Sequence, residues 1–405
     1  MTTPIDHKQA IILSGGGAYG AYEVGVIKAL FNGESPATGY QPLNPGIFTG
    51  TSVGAVNAAV IVSHPDISIR AITAYLESSW VDVISESPQT CGNGVFRFRG
   101  DPFRYFDPQC LLSDPARTLA ELADDSAYFA RDWFRRGINF LMANGDLENR
   151  TAQLFDLSSF VSPAPFKKLL RQIVSLEGIR RSERVLKVIA TNWETGEVTV
   201  FGNSDMTDEV GYHVILGSAA IPGFFVPHNV AGQPYVDGGL VMNTPLKCAI
   251  QAGGETLHVI YMDPDVQNIP LRKLMSTIET LDRVMLITTA TKINEDIDTA
   301  AWINEGIAAM ERALKGEDLS SAEMVAFVRV ASQIEQHIKE GLPYKKLTIH
   351  RYHPHDDLGA GVLGLLNFDR DRMIALIERG FDDAMNHDCA SSHCILPSDA
   401  LPRNV

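Results

Sequence analysis

The sequence predicts an α/β protein, and three stretches predict it. Near the N-terminus, Ala10-Ile11-Ile12-Leu13 reads as a buried strand. It runs straight into Ser14-Gly15-Gly16-Gly17-Ala18-Tyr19-Gly20, and from there into residues with helical apolar spacing. Next, the β-favouring run Gly46-Ile47-Phe48-Thr49 passes through Gly50-Thr51-Ser52-Val53-Gly54 into a compact, Ala-rich apolar run over 55–62. Beyond residue 166, strands and helices alternate again, as in a sheet covered by helices.

Taken in order, the first helix places Val24, Ile27, Ala29 and Leu30 on one face. Residues 67–80 read as helical. Over roughly 85–150 the rhythm stops, and this stretch reads as an insertion. Its first part, 95–106, interleaves Phe96, Phe98, Phe103, Tyr105 and Phe106 with Arg97, Arg99 and Arg104. Its later part, 133–142, clusters Trp133, Phe134, Ile138, Phe140, Leu141 and Met142. One reading packs both parts over the core. The other makes them a lid or a peripheral membrane contact, because aromatic and arginine side chains suit a headgroup interface.

The pattern resumes with a helix over 166–174 and two strands, 185–191 and 197–201, joined through the turn Glu194-Thr195-Gly196. A helix over 212–220 stops before Pro222. Tyr235-Val236 leads into Asp237-Gly238-Gly239. The next helix runs to Ala252, with Thr244 as its N-cap and Pro245 at its first position. A core strand spans 256–261. Helical stretches follow over roughly 268–291, 296–314 and 321–341, then a strand over 347–352 and a helix over 370–386. Residues 1–387 read as one domain, and 388–405 as a loosely ordered tail.

Composition narrows the function. The 405 residues are 45% hydrophobic and 20% charged, with a net charge of −15. A strongly acidic chain is a poor partner for nucleic acid, which needs a basic surface, and has no general attraction to an anionic membrane. The five cysteines (Cys91, Cys110, Cys248, Cys389 and Cys394) are few and odd in number. No pair is read as having zinc-finger spacing, and reduced thiols are the expectation. No metal ligand set is assigned. Residues 1–10 carry Asp6, His7 and Lys8 without an apolar segment, so no signal peptide is expected. No run approaches the roughly 18 apolar residues of a membrane span. A cytoplasmic protein, at most peripheral at membranes, is the resulting expectation.

The turn around Ser52 carries the chemistry. A serine between strand and helix, with glycines at both ends, is a nucleophile elbow: Gly50 and Gly54 lack the Cβ atoms that would keep the two elements apart. The glycine loop Gly15-Gly16-Gly17…Gly20 lies between a strand and a helix N-terminus, where amides are unpaired and face any nearby anion. Gly15-x-Gly17-x-x-Gly20 also fits a dinucleotide fingerprint, which requires an acidic residue closing the second strand. That strand ends in the serine turn instead, so the loop fits an oxyanion hole better.

Serine needs a base. His213, His228 and His258 each stand alone in the sequence, and His353-Pro354-His355-Asp356-Asp357 reads as a polar loop. Asp237 is the better candidate. It ends an apolar run, Gly238 and Gly239 let the chain pack closely around it, and a carboxylate in an apolar pocket becomes a stronger base. The early position of the serine turn disfavours the α/β-hydrolase fold, whose elbow follows several strands.

In their order, Gly15-Gly16-Gly17-Ala18-Tyr19-Gly20, Gly50-Thr51-Ser52-Val53-Gly54 and Asp237-Gly238-Gly239 resemble the patatin-like phospholipase family of bacterial type. The segments 218–225 and 235–240 resemble those bracketing that family's aspartate, and Gly364-Leu365-Leu366-Asn367-Phe368-Asp369 resembles a C-terminal feature. The resemblance spans residues 9 to 263 strongly and 345 to 385 weakly. It implies a three-layer α/β/α sandwich with a mostly parallel central sheet and helical insertions. It implies a serine lipid acyl hydrolase using a Ser52–Asp237 dyad and an oxyanion hole from the Gly15–Gly20 loop, without metal or cofactor. The substrate would be an acyl lipid; acyl transfer, thioester cleavage or a non-catalytic lipid-binding module are the alternatives. Tyr19 stands where the family usually has Arg or Lys, which removes a positive charge and bears on preference for a phosphate-bearing substrate. The oligomeric state is left open.

Overall fold

A computed structural model describes residues 4–86, 92–101, 107–108, 112, 114–142, 161–262, 277–315, 319–337, 346–356, 358–359 and 364–396. Phe103, Arg104, Tyr105 and Phe106 of the insertion, Cys91, Cys110 and the expected helix start at 268–276 lie outside them.

The organising element is a sheet that is parallel through five strands. In spatial order these are β10 (Thr348–Tyr352), β9 (Thr256–Ile260), β1 (Asp6–Leu13), β2 (Pro45–Thr51) and β5 (Val185–Asn192). Beyond β5 the sheet turns antiparallel, with β6 (Val198–Gly202), β8 (Gln233–Asp237) and β7 (His228–Val230). The small β3 (Arg97–Phe98) and β4 (Val161–Ser162) pair apart from it. The central strands are buried on both faces, which parallel sheets require and which their continuous apolar sequences supply.

Side chains alternate along β1, so each face of the sheet gets its own core. Ile11 and Leu13 face a layer built from α1 (Gly20–Asn32), α2 (Val53–Val62), α3 (Ile69–Ser78), α5 (Ala164–Ile173), α6 (Leu176–Arg181), α7 (Gly211–Ser218) and α11 (Arg370–Met385). Ala10 and Ile12 face α8 (Leu246–Gln251) and α9 (Thr277–Leu314), through Leu246, Ala249, Ile297 and Ala300. This is the expected three-layer α/β/α sandwich. α1 and α11 cross at Gly25 and Gly380, where a Cβ on either glycine would collide with backbone of the other helix.

Three details differ from the sequence reading. Thr244 does not cap α8; its hydroxyl bonds the Ser14 hydroxyl at 2.7 Å, and Pro245 takes the cap position. The separate helices expected over 268–291 and 296–314 are continuous through the junction as α9, because Lys292-Ile293-Asn294-Glu295-Asp296 is polar but holds no glycine or proline to break a helix. The next helix is α10 (Ser321–His337). Residues 388–396 of the expected loose tail are held on β10: Ile395 exchanges two backbone hydrogen bonds with Ile349 at 2.8 and 2.9 Å.

The first part of the insertion packs over the core, one of the two readings of it. Phe96 is buried and packs against Phe368. Arg97 turns inward to a buried ion pair with Asp125 of α4 (Pro115–Met142) at 2.7 Å. Arg99 lies over the Tyr128 ring and donates to the Val161 carbonyl at 2.7 Å. These arginines anchor the insertion and are not presented to a headgroup. Trp133 and Phe134 on α4 do face outward, 73% and 72% exposed. Among the described residues no helix is long and apolar enough to cross a membrane.

Candidate active site

The register of β5 explains how two residues far apart in sequence meet. Along one edge β5 pairs with β2 as far as Thr51 opposite Ile189, and then with β8 from Asp237 opposite Ala190. β6 occupies the other edge. β2 and β8 therefore run toward each other on the same edge, and Ser52 and Asp237 are where they meet.

Ser52 sits at φ 55°, ψ −124°, directly before the first turn of α2, with the positive end of that helix behind it. Few non-glycine residues adopt this conformation. It persists because its surroundings hold it. The Ser52 amide donates to Ser218 Oγ at 3.0 Å, and that hydroxyl donates to the Ile189 carbonyl at 2.6 Å. Side chains at Gly50 or Gly54 would collide with the backbone of Gly54 or of Leu13.

Asp237 ends β8. Its amide donates to the Ala220 carbonyl at 2.9 Å, and its Oδ1 accepts from the Gly239 amide at 2.7 Å. Ser52 is 3% exposed and Asp237 6%. Burial pushes the Asp237 carboxyl up to about 6, against the Ser52 hydroxyl and the Gly239 amide, which both bond its charged form. Gly238 is a glycine because the Ile189 carbonyl and Thr51 methyl leave no room for a Cβ, and Gly239 lies against Asn243 Oδ1. Neither glycine has a positive φ.

The glycine loop lies against the elbow: a Cβ on Gly15 would overlap Asn243 Oδ1 and press on Ser52 Cβ. Its four glycines do different things. The Gly15 amide is already bonded to Asn243 Oδ1 at 3.0 Å, and the Gly20 amide is turned back to Gly17 and Ala18 carbonyls. Gly16 and Gly17 keep amides that donate to no acceptor among the described residues. Gly17, at φ +55°, lines the same pocket as Ser52.

Asn243, directly before the Thr244 expected as a helix cap, has a role that no local pattern marks. Its side chain accepts from the Gly15 amide and donates to the Gly15 carbonyl at 3.2 Å, so it clamps the loop to the Asp237 turn. Thr51 Oγ1 donates to the Met242 carbonyl at 2.9 Å, fixing the same segment to β2. A second missed group lies under the loop. Asn57 donates to Glu23 Oε2 at 2.8 Å and to the Gly20 carbonyl at 3.1 Å, and accepts from Trp80 Nε1 at 2.8 Å. Burial pushes the Glu23 carboxyl well above its usual range, against the Asn57 amide, which bonds its charged form. A lone Glu and a lone Asn inside apolar helical runs were the available signals.

From Ser52 an apolar pocket of about 780 Å³, counting its open mouth, runs between the helical layer and the insertion. Val56, Trp80, Phe166, Leu169, Leu216 and Leu366 form much of its wall. Leu365, Leu366 and Phe368 belong to the segment resembling the C-terminal feature. Tyr19 lies beside this segment. Its hydroxyl donates to the Gly359 carbonyl at 2.5 Å, and its ring carries the Arg372 guanidinium 5.3 Å above. A cation from α11 thus stands beside the position where the loop lacks one.

The histidines are not solitary. His213 Nδ1 and His228 Nε2 share a hydrogen bond at 2.8 Å, and His228 lines the pocket. Burial, with His213 and Lys167 nearby, pushes His228 down to about 4, which keeps it neutral. His258 is fully buried against His350 and Tyr352. No hydrogen bond joins His213, His228 or His258 to Ser52 or Asp237 among the described residues.

Fold and site together define an α/β/α hydrolase. The family model for patatin-like phospholipases matches residues 11–250, more than half of the chain, and the chain belongs to that family. It is accordingly a hydrolase of carboxylic ester bonds from a family of lipid acyl hydrolases. No curated protein sequence matches it. Among solved structures, VipD from Legionella pneumophila is similar at 18% identity and a TM-score of 0.35, over 97% of this chain and 68% of that one.

Proposed function

We propose that the protein cleaves acyl lipids, with phospholipids as the first substrate class, through a Ser52 acyl-enzyme. Ser52 Oγ attacks the ester carbonyl carbon while its proton passes to Asp237. The tetrahedral oxyanion is held by the Gly16 and Gly17 amides, with Gly15 and Gly20 shaping the loop. Collapse expels the alcohol, which takes the proton from Asp237. Asp237 then removes a proton from water, which attacks the acyl-enzyme; the tetrahedral intermediate collapses, Asp237 returns that proton to the departing Ser52 Oγ, and the fatty acid is released. A donor of this kind contributes on the order of a hundredfold in rate. The acyl chain lies in the apolar pocket, and the exposed Trp133 and Phe134 give the enzyme a peripheral contact with the lipid surface.

One observation carries this reading: Ser52, on a strained turn and lining a pocket with an almost wholly apolar wall, follows β2 at the point where β8 ends in the buried carboxylate of Asp237. Ser52→Ala and Asp237→Asn are each expected to abolish release of p-nitrophenol from a medium-chain acyl ester and of fatty acid from phosphatidylcholine vesicles. Retention of most of the activity by either variant overturns the dyad. A new acyl ester formed with glycerol present, in place of free fatty acid, replaces hydrolysis by acyl transfer.

A further inference from the structure

At the opposite edge of the sheet, three strands from Ser52, four potential metal ligands converge. His350 lies on β10, His387 just beyond α11, and Cys389 and Cys394 in the segment that returns to β10. One donor atom from each lies within 4.8 Å of all the others. Cys389 Sγ is 3.5 Å from His350 Nδ1 and 3.5 Å from His387 Nε2, and Cys394 Sγ is 3.4 Å from His387 Nε2. Zinc bonds of about 2.3 Å to sulfur and 2.0–2.1 Å to nitrogen, arranged as a tetrahedron, place sulfur and nitrogen roughly 3.5 Å apart. The observed separations are therefore those of ligands around a common centre.

The surroundings suit a closed structural site. The Arg351 amide donates to Cys394 Sγ at 3.3 Å, the kind of backbone bond that stabilises a thiolate. The Cys389–Cys394 loop is closed by a bond from the Cys394 amide to the Cys389 carbonyl at 2.9 Å. Behind the ligands, His258 stacks on His350 with ring centres 5.1 Å apart, and Tyr352 packs on His387 at 4.6 Å. Both histidines are buried and both cysteines half-buried. Four protein ligands leave no position for water or substrate, so the role is structural.

We propose that His350, His387, Cys389 and Cys394 bind one zinc ion, which fastens the C-terminal segment to β10. Two sulfur and two nitrogen donors in a tetrahedron select zinc over magnesium or calcium, which prefer oxygen. Both thiols lose their protons to solvent on binding, and the metal keeps its charge throughout. This site corrects the sequence reading, in which no cysteine pair had zinc-finger spacing: Cys389-x-x-x-x-Cys394 lies within the range of zinc ligands, and the two histidines that complete the set are brought to it by β10 and α11.

The test uses the full chain, prepared without a histidine tag. Elemental analysis is expected to find about one zinc per chain, lost on dialysis against a strong chelator and regained on adding zinc chloride. Differential alkylation with peptide mapping should show Cys389 and Cys394 protected in the metal form and labelled at least tenfold faster after chelation, and Cys248 unchanged. Cobalt(II) added to chelated wild-type protein should give the intense visible absorption of a tetrahedral thiolate site, which reads the site without any substitution. The double variant Cys389→Ser/Cys394→Ser should hold no zinc. A wild-type chain that takes up neither zinc nor cobalt overturns the proposal. So does zinc binding unchanged in the double variant, or a Cys389–Cys394 disulfide in the protein as isolated.

Discussion

Ser218 joins the elbow to the sheet: its hydroxyl accepts from the Ser52 amide at 3.0 Å and donates to the Ile189 carbonyl at 2.6 Å. One side chain thus satisfies a buried donor and a buried acceptor and fixes the backbone that carries the serine. Ser218→Ala leaves both without partners. The expected cost is about 1–3 kcal/mol, read as a lower urea midpoint at unchanged slope. Ester hydrolysis should fall on the order of tenfold or more, in kcat more than in KM, because the nucleophile loses its positioning and the pocket does not change.

The raised Asp237 carboxyl ties activity and stability to pH in opposite directions. As a base Asp237 must be ionised, so kcat/KM should rise through an apparent pKa near 6. Its pKa is raised in the fold, so its contribution to stability is complete below the unfolded value of 3.8 and is lost as pH rises through about 6. A neutral Asn does not lose it. Asp237→Asn should therefore gain stability relative to the wild type as pH goes from 4 to 7, by on the order of 3 kcal/mol. Thermal unfolding of both proteins across that range gives the difference curve. A flat curve would mean the carboxyl titrates normally.

The conformation of Ser52 makes a separate prediction. At φ 55°, ψ −124° a Cβ is unfavourable and glycine is at ease. Ser52→Gly and Ser52→Ala should both be inactive, but the glycine variant should be more stable than the alanine variant by about 1 kcal/mol. Equal melting temperatures would show that the elbow stores no strain.

Exposure of Trp133 and Phe134 on α4 predicts an interfacial effect separable from chemistry. Trp133→Ser/Phe134→Ser should reduce partitioning into phosphatidylcholine vesicles at least tenfold, since each ring contributes about 1.5–3 kcal/mol when buried. Hydrolysis of a soluble p-nitrophenyl ester should not change. Vesicle binding equal to wild type would assign α4 a purely internal role.

The glycine loop, the serine turn and the Asp-Gly-Gly turn were legible because backbone geometry restricts which residues can occupy them. A Cβ at Gly50, Gly54 or Gly238 meets backbone that cannot move, so glycine marks the site in the sequence itself. The support for that site was not legible. Asn243, Ser218 and Asn57 are ordinary polar residues in their local segments, and they matter only through partners far along the chain. Arg97 lay in a stretch that read either as packed over the core or as a lid, and Asp125 draws it inward.

Periodicity and glycine placement are local properties of the chain, so the class of protein and the strand–helix alternation could be read from it directly, as could Ser52 and Asp237, the two residues proposed to carry the chemistry. Tertiary structure alone decided that β2 and β8 meet head-on along one edge of β5, which amides of the glycine loop are spent on internal bonds, and that His350 joins His387, Cys389 and Cys394. Those outcomes depend on which strands become neighbours, and neighbour choice is set by burial of the whole sheet between two helical layers, where no local pattern records it.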